Sequence, residues 1–207
     1  MGSLLSVSTN ACFHPDFELE YRDWIFNCTE WGMYTIGHST RSKEEFLRLL
    51  EAHQIQILVD VRRLPGSTRF PQFNSDRLER FINKHGIHYL YFPDLGGRRP
   101  TQKNSNNLGW QVAAFRGYAD YMETDPFKES LERLILLDKK KRLVVMCAEA
   151  VPWRCHRRLI ADAMVARGFP VFDIMTEARA VPHQLPSWAR VKSEKLSYPG
   201  DALKKAA

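Results

Sequence analysis

Short apolar runs alternate with amphipathic segments from Met33 onward, a pattern typical of alternating strands and helices. The runs that predict strands cover residues 34–36, 55–61, 88–92, 143–146 and 170–174. The segments between them carry apolar residues at helical spacing. This alternation predicts a single three-layer α/β domain, with helices covering both faces of a mainly parallel sheet.

Capping signals mark where several predicted helices begin and end. Ser42 and Glu45 form a capping box at the start of the first helix. The second helix is expected to start near Ser75 and to stop at Gly86. Asp125 is the expected N-cap of a helix in the long crossover after loop 93–110. The last helix is expected to cover about residues 154–167 and to end at Gly168.

The domain is expected to span residues 33–190. Residues 1–32 show no clear period and are interpreted as an appendage, for which the sequence leaves three alternatives. It packs as a short helix, it is partly disordered, or it is an extension upstream of a start at Met33. Residues 191–207 are interpreted as a basic tail.

The cysteine content and the hydropathy of the chain indicate a cytoplasmic protein. Four cysteines in 207 residues are too few for a disulfide scaffold, so we expect reduced thiols inside the cell. No run of eighteen apolar residues occurs, so no membrane partner is expected. The sequence leaves the oligomeric state open.

The formal net charge of +6 favours anionic ligands, although it does not separate a nucleotide from a nucleic-acid backbone. We expect an anionic small molecule or a nucleotide as the partner. Nucleic acid is the alternative, because aromatic residues near basic groups could stack on bases; these include Phe73, Trp110 and Trp153.

Polar residues follow each predicted strand, and one loop is unusually rich in them. The apolar run 143–146 leads directly into a segment with two thiols, a carboxylate, an imidazole and three guanidiniums. The carboxyl ends of parallel strands share one edge of a sheet, so these loops are expected to surround one ligand. The candidate site residues are His38, Asp60, Arg62, Arg69, Arg98, Cys147, Glu149, Arg154, Cys155 and His156.

Cys147 is the predicted catalytic centre, as a nucleophile or a redox thiol. A helix N-terminus and nearby arginines would lower the pKa of its thiol and favour the thiolate. Glu149 would serve as an acid or base, Cys155 as a second redox or resolving thiol, and His38 as a proton donor. The alternatives are structural: a core thiol at Cys147, an ion pair at Glu149 and a backbone cap at His38.

The remaining candidates are assigned to substrate binding. Arginine guanidiniums recognise phosphate or carboxylate with two hydrogen bonds, so Arg62, Arg69, Arg98 and Arg154 are expected to form an anion clamp. Asp60 and His156 are the other predicted substrate-binding residues. The alternative for Arg62, next to Asp60, is that it only holds the loop. No cofactor is expected. No metal site is expected either, because no C-x-x-C pair occurs and the Cys147–Cys155 spacing matches no common zinc finger.

Several motifs together carry a resemblance to a known family. They are Thr35–Ser39, Val59–Arg62, Pro65–Ser67, Tyr91–Gly97 and the C-A-E-x-x-P-x-R-C-H-R segment at 147–157. With them the chain resembles the domain-of-unknown-function 488 family over about Met33 to His183. This resemblance implies a single α/β domain and supplies no reaction. A looser resemblance links the Asp60–Arg62 strand end and the Cys147 loop to rhodanese-like and Cys-dependent phosphatase domains.

These features favour a Cys-dependent enzyme that acts on an anionic substrate, either phosphate-bearing or nucleotide-like. The alternative is a protein that binds nucleic acid or a nucleotide without catalysis.

Overall fold

The computed structural model describes residues 32–200. Residues 1–31, which hold nearly all of the predicted appendage, and residues 201–207 lie outside the described part. Within residues 32–200, none of the helices is long and apolar enough to cross a membrane.

A six-stranded sheet forms the centre of the fold, in the order β3-β2-β4-β1-β5-β6. The first five strands pair in parallel, and β6 pairs antiparallel with β5 at one edge. This confirms the predicted α/β class with a mainly parallel sheet. The strands are β1 (Met33–Gly37), β2 (Ile57–Asp60), β3 (His88–Tyr91), β4 (Leu143–Cys147), β5 (Val171–Thr176) and β6 (Arg179–Pro182).

Within residues 32–200, five α-helices connect or flank these strands. They are α1 (Lys43–Ala52), α2 (Ser75–Lys84), α3 (Ala113–Tyr121), α4 (Asp125–Asp138) and α5 (Arg157–Val165). The capping box of α1 is confirmed, since the Glu45 N–H donates to Ser42 Oγ at 3.0 Å and the Ser42 N–H donates to Glu45 Oε2 at 2.7 Å. Gly86, after α2, has φ +77°, which suits glycine at a helix end. The prediction for α4 was wrong by one residue, because Thr124 is the N-cap.

Alternate residues of the buried strands belong to two separate hydrophobic clusters. Ile57 and Val59 of β2 join a cluster with residues of α3, α4 and α5, whereas Leu58 joins one with residues of α1 and α2. Side chains alternate between the two faces of a strand, so this distribution is the one expected when each face is covered. The three-layer arrangement itself stays a prediction.

The first part of the predicted basic tail contains regular structure. A small hairpin pairs β7 (Arg190–Lys192) with β8 (Lys195–Ser197). Tyr198 follows it, is 1% exposed, and belongs to the same cluster as α5 residues. The Gly109 N–H donates to the Tyr198 carbonyl at 2.8 Å. Tyr198 therefore joins the segment after the hairpin to the α/β core.

Candidate functional site: two thiols and an imidazole below an arginine-lined cavity

The strand order brings three carboxyl ends together in the middle of the sheet. β4 lies between β2 and β1, with Asp60 opposite Met146 and Gly37 opposite Cys147. The contact continues beyond the strands, because the His38 N–H donates to the Cys147 carbonyl at 3.0 Å. The loops after β1, β2 and β4 therefore meet at Cys147, as the parallel sheet predicts.

The backbone after Cys147 differs from the predicted helix over residues 154–167. A short 3₁₀ turn covers Pro152–Arg154, and α5 begins only at Arg157. Between them Cys155 is extended, with φ −130° and ψ 143°, and His156 is the N-cap of α5, so the predicted start of the last helix near residue 154 was wrong. The Cys155 N–H is satisfied by the Pro152 carbonyl at 2.9 Å. This break in the helix places the second thiol beside the first.

We call Cys147, Cys155 and His156 the thiol cluster. His156 Nδ1 lies 3.8 Å from the Sγ of Cys147 and 3.8 Å from the Sγ of Cys155. His156 Nε2 lies 3.2 Å from the Val61 carbonyl oxygen, which can only accept a hydrogen bond, so Nε2 carries the proton in this contact. In the neutral ring, Nδ1 then presents its lone pair to both sulfur atoms.

The environment makes Cys147 the more acidic and Cys155 the less acidic of the two thiols. A hydrogen bond from Cys155, the charge of Arg157 and the N–H groups of Ala148 and Glu149 lower the pKa of Cys147 in spite of its burial. Burial, together with the hydrogen bond and charge of Cys147, raises the pKa of Cys155. The two pKa shifts thus have opposite signs, so Cys147 loses its proton before Cys155 does.

Arg157 holds the loop that follows Cys147. Its side chain is 1% exposed, and its two terminal nitrogens donate to the carbonyls of Glu149 at 2.6 Å and Ala150 at 3.0 Å. Nε lies 3.4 Å from Thr35 Oγ1. Sequence reasoning missed this residue, because a helical arginine near a site gives no signal of burial in the linear sequence.

A cavity of about 270 Å³ opens above the thiol cluster. Four of its lining residues are arginines, one of which, Arg63, was not predicted. Its lining combines these cations with the thiol cluster, Glu149 and a few apolar side chains: Arg62, Arg63, Leu64, Gly97, Arg98, Ala114, Phe115, Cys147, Ala148, Glu149, Arg154, Cys155 and His156. The geometry joins two predicted groups, the thiols and part of the arginine set, in one cavity.

Asp60 and His38 lie behind this cavity and are not among its lining residues. Asp60 is fully buried and accepts hydrogen bonds from the Arg62 guanidinium, the shortest at 2.6 Å, and from the Tyr89 hydroxyl at 2.7 Å. His38 Nδ1 donates to the Ser39 carbonyl at 2.9 Å, which leaves Nε2 to accept from Arg62 at 3.4 Å. Burial and the charge of Arg62 lower the pKa of His38 to about 4, so its ring is neutral. Both residues orient Arg62.

The remaining predicted residues are Arg69 and the aromatic residues expected to stack on bases, and they differ in how far they are exposed. Arg69 lies over the Phe70 ring at 5.2 Å and is not among the residues that line the cavity. Phe73 and Trp110 are buried, so they pack in the interior and are not free to stack on bases. Trp153, which is 53% exposed, presents a free ring surface next to Arg154.

Gly37 is required where the Cys147 loop crosses β1. A Cβ at this position would overlap the carbonyl oxygen of Glu149, which belongs to the backbone and cannot rotate away. We expect Gly37→Ala to lower the free energy of unfolding by about 1–3 kcal/mol, the usual cost of overpacking, as measured by urea denaturation.

Gly66→Ala is the matched control for this prediction, because a Cβ at Gly66 meets no atom within 4 Å and its φ is not positive. Equal stability of the Gly37 and Gly66 variants would show that the loop tolerates displacement.

The fold and the site together define a single α/β domain with paired thiols at the carboxyl edge of its parallel sheet. The family model described as "Domain of unknown function DUF488" matches residues 42–164, and the chain belongs to this family. The looser resemblance to rhodanese-like domains stays a prediction. No curated protein and no solved structure gives a significant match.

Proposed function

We propose that this protein is a thiol-dependent enzyme that acts on an anionic, phosphate-bearing substrate. The observation that carries the proposal is the shared cavity, in which the Cys147 thiol lies below four arginines. Guanidiniums bind phosphate oxygens through paired N–H donors, which would hold an electrophilic atom of the substrate close to the sulfur.

In this reaction Cys147 is the nucleophile. Its sulfur forms a bond to the electrophilic atom of the substrate while the bond to the leaving group breaks, and the leaving group departs with the bonding pair. The exposed Glu149 at the cavity wall would give a proton to the leaving group, or take one from the water that cleaves the covalent intermediate. Cys155 donates its hydrogen bond to the Cys147 thiolate, and the His156 ring lies against both sulfur atoms.

Alkylation by iodoacetamide tests the proposal, with the protein first treated with a chelator so that no metal covers its thiols. Peptide mass spectrometry follows each cysteine separately. We expect Cys147 to react on the order of ten times faster than Cys155, because its thiol is the more acidic of the two. Orthophosphate, pyrophosphate or AMP should slow the reaction at Cys147. Arg154→Gln should weaken this protection, because Arg154 lines the cavity.

Arg80→Gln is the control for Arg154→Gln, since the side chain of Arg80 is 75% exposed on α2. It should leave the protection unchanged. A Cys147 that reacts no faster than Cys155, with or without phosphate, would contradict the proposal.

The half-exposed Trp153 beside Arg154 favours a second candidate, a nucleotide-binding protein without catalysis. A base could stack on this indole while the arginines hold the phosphate. AMP binding that is equal in the wild type and in Cys147→Ser, with no covalent adduct and a strong loss in Trp153→Ala, would favour this function over the enzyme.

A further inference from the structure

We propose that Cys147, Cys155 and His156 form a three-ligand binding site for a Zn²⁺ ion, with the fourth coordination position open to the arginine-lined cavity. The proposal goes beyond the thiol chemistry above and does not depend on it. A bound ion would hold Cys147 as a ligand, so the two roles of this sulfur belong to two states of the protein.

The ligand types and their separations match a tetrahedral zinc site. Zinc–sulfur bonds of about 2.3 Å and zinc–nitrogen bonds of about 2.0 Å place sulfur and nitrogen about 3.5 Å apart, and two sulfurs about 3.8 Å apart. In the thiol cluster both sulfur–nitrogen distances are 3.8 Å, and all three ligand atoms lie within 4.8 Å of one another. Shifts of no more than about an ångström would close the site.

The orientation of His156 supports the same conclusion. Histidine ligands of metals donate their second ring N–H to a carbonyl or carboxylate, which fixes the tautomer. Here Nε2 is held by the Val61 carbonyl at 3.2 Å, and Nδ1 points at both sulfur atoms. Gly97 packs against this ring, where a Cβ would lie 2.7 Å from Nδ1, so the imidazole sits against the backbone. The ring is held in the position that a metal ligand needs before any metal arrives.

The charge balance of the site also suits a divalent ion. Two thiolates and one Zn²⁺ are neutral together, and each thiol that carries a proton before binding releases it to solvent. Without the ion, the two sulfurs, with 7% and 2% exposure, share contact with the single nitrogen Nδ1 of His156. The ion would therefore take the place of the protons that the buried thiols carry. Thiolates are soft ligands, which favour zinc over magnesium or calcium.

The fourth position identifies the class of ligand that completes the site. All three proposed ligands line the cavity that also contains Arg62 and Arg154. Sites with three protein ligands and one exchangeable position are typical of catalytic zinc. A water molecule or an oxygen atom of the anionic ligand would take that position, with the arginines holding the rest of the anion.

Cobalt binding tests the proposal, because Co²⁺ in a tetrahedral thiolate site gives a near-ultraviolet charge-transfer band and visible d–d bands. The full chain, with Cys12→Ser and Cys28→Ser to remove the remaining thiols, is stripped by a chelator under reducing conditions and titrated with Co²⁺. We expect one equivalent to bind and Zn²⁺ to displace it. Cys147→Ser, Cys155→Ser and His156→Ala should each lower the affinity by about 100-fold or more, since outer-shell partners alone contribute 10- to 100-fold.

His88→Ala, which removes an exposed histidine from β3, is the matched control and should bind Co²⁺ like the parent chain. Circular dichroism checks that each variant is folded. The absence of a stoichiometric thiolate band in the folded parent chain would overturn the proposal, and so would unchanged affinity in both folded Cys155→Ser and His156→Ala.

Iodoacetamide separates this proposal from the enzymatic one. One equivalent of Zn²⁺ should slow alkylation of Cys147 at least tenfold, whereas the metal-free protein reports the reactivity of the free thiol. A Cys147 that is unreactive without metal while cobalt binds overturns the enzyme and leaves the metal site. A reactive Cys147 in a protein that binds no cobalt overturns the metal site and leaves the enzyme.

Discussion

Arg157→Met should lower the free energy of unfolding by about 3–5 kcal/mol, because the buried guanidinium donates two hydrogen bonds that methionine cannot replace. Methionine fills much of the same volume but donates no hydrogen bonds. The carbonyls of Glu149 and Ala150 would then lose their guanidinium donors. Each hydrogen bond to a charged group contributes about 1.5–3 kcal/mol, so two lost bonds account for the expected effect.

The same substitution should alter the thiol cluster. The charge of Arg157 is one of the causes that lower the pKa of Cys147, and its guanidinium fixes the loop whose N–H groups contact that sulfur. We therefore expect slower alkylation of Cys147 in Arg157→Met than in the wild type at neutral pH. A role in stability alone would leave the alkylation rate of the folded variant unchanged.

Urea denaturation and thermal melting measure the loss of stability. For a domain of this size, 3–5 kcal/mol corresponds to a fall in melting temperature of about 6–20 °C. Arg157→Lys should lie between the wild type and Arg157→Met, because an ammonium keeps the charge but cannot span two carbonyls. Arg80→Met, on the exposed face of α2, should cost less than about 0.5 kcal/mol. A cost below 1 kcal/mol for Arg157→Met would mean that water replaces the guanidinium.

The hydrophobic pattern was sufficient to predict the parallel strands. It also predicted the edge of the sheet at which the polar groups lie. Strands such as β4, in which all five residues are buried, appear in the sequence as continuous apolar runs because both faces of the strand are covered. β6 was missed because the segment Arg179–Pro182 is an edge strand without fully buried residues, so it has no apolar run. The β7–β8 hairpin was missed for the same reason, since all of β7 is exposed.

The site was predicted in outline, and its details depend on backbone geometry. Nothing in the sequence marks Cys155 as extended, so the spacing of the two cysteines was compared with common zinc fingers and a metal was not expected. The three-dimensional distances among the thiol cluster follow from that one break before α5. Likewise, Asp60 and His38 were expected at the substrate, because their types suggest chemistry, whereas their contacts orient Arg62.

A second buried network joins α5, β5 and the segment after the hairpin, and it contains His183. Nδ1 of His183 lies 2.9 Å from Asp173 Oδ2, and Nε2 lies 2.8 Å from Asp162 Oδ1. Tyr198 donates to the other oxygen of Asp162 at 2.7 Å, and Thr35 donates to Asp173. A charged imidazole can donate to both carboxylates, whereas a neutral ring can donate to only one.

This network should make stability fall as the pH rises through the neutral range. Burial alone would lower the pKa of His183, but the hydrogen bonds and charges of Asp162 and Asp173 outweigh burial and raise it to about 9. The folded pKa therefore lies above the unfolded value of about 6.5. The stabilisation from the charged ring is complete below pH 6.5 and disappears as the pH passes through about 9. The difference between the two pKa values corresponds to about 3 kcal/mol.

Urea denaturation at a series of pH values from 6 to 10 measures this dependence, and His183→Gln isolates the contribution of the ring. At pH 6 the variant should be about 3 kcal/mol less stable than the wild type, and the gap should close towards pH 10. Asp138, whose pKa burial raises to about 7, titrates in both proteins and cancels from the difference, as do the thiols. A gap that stays constant with pH would mean that His183 is neutral in the folded protein across this range.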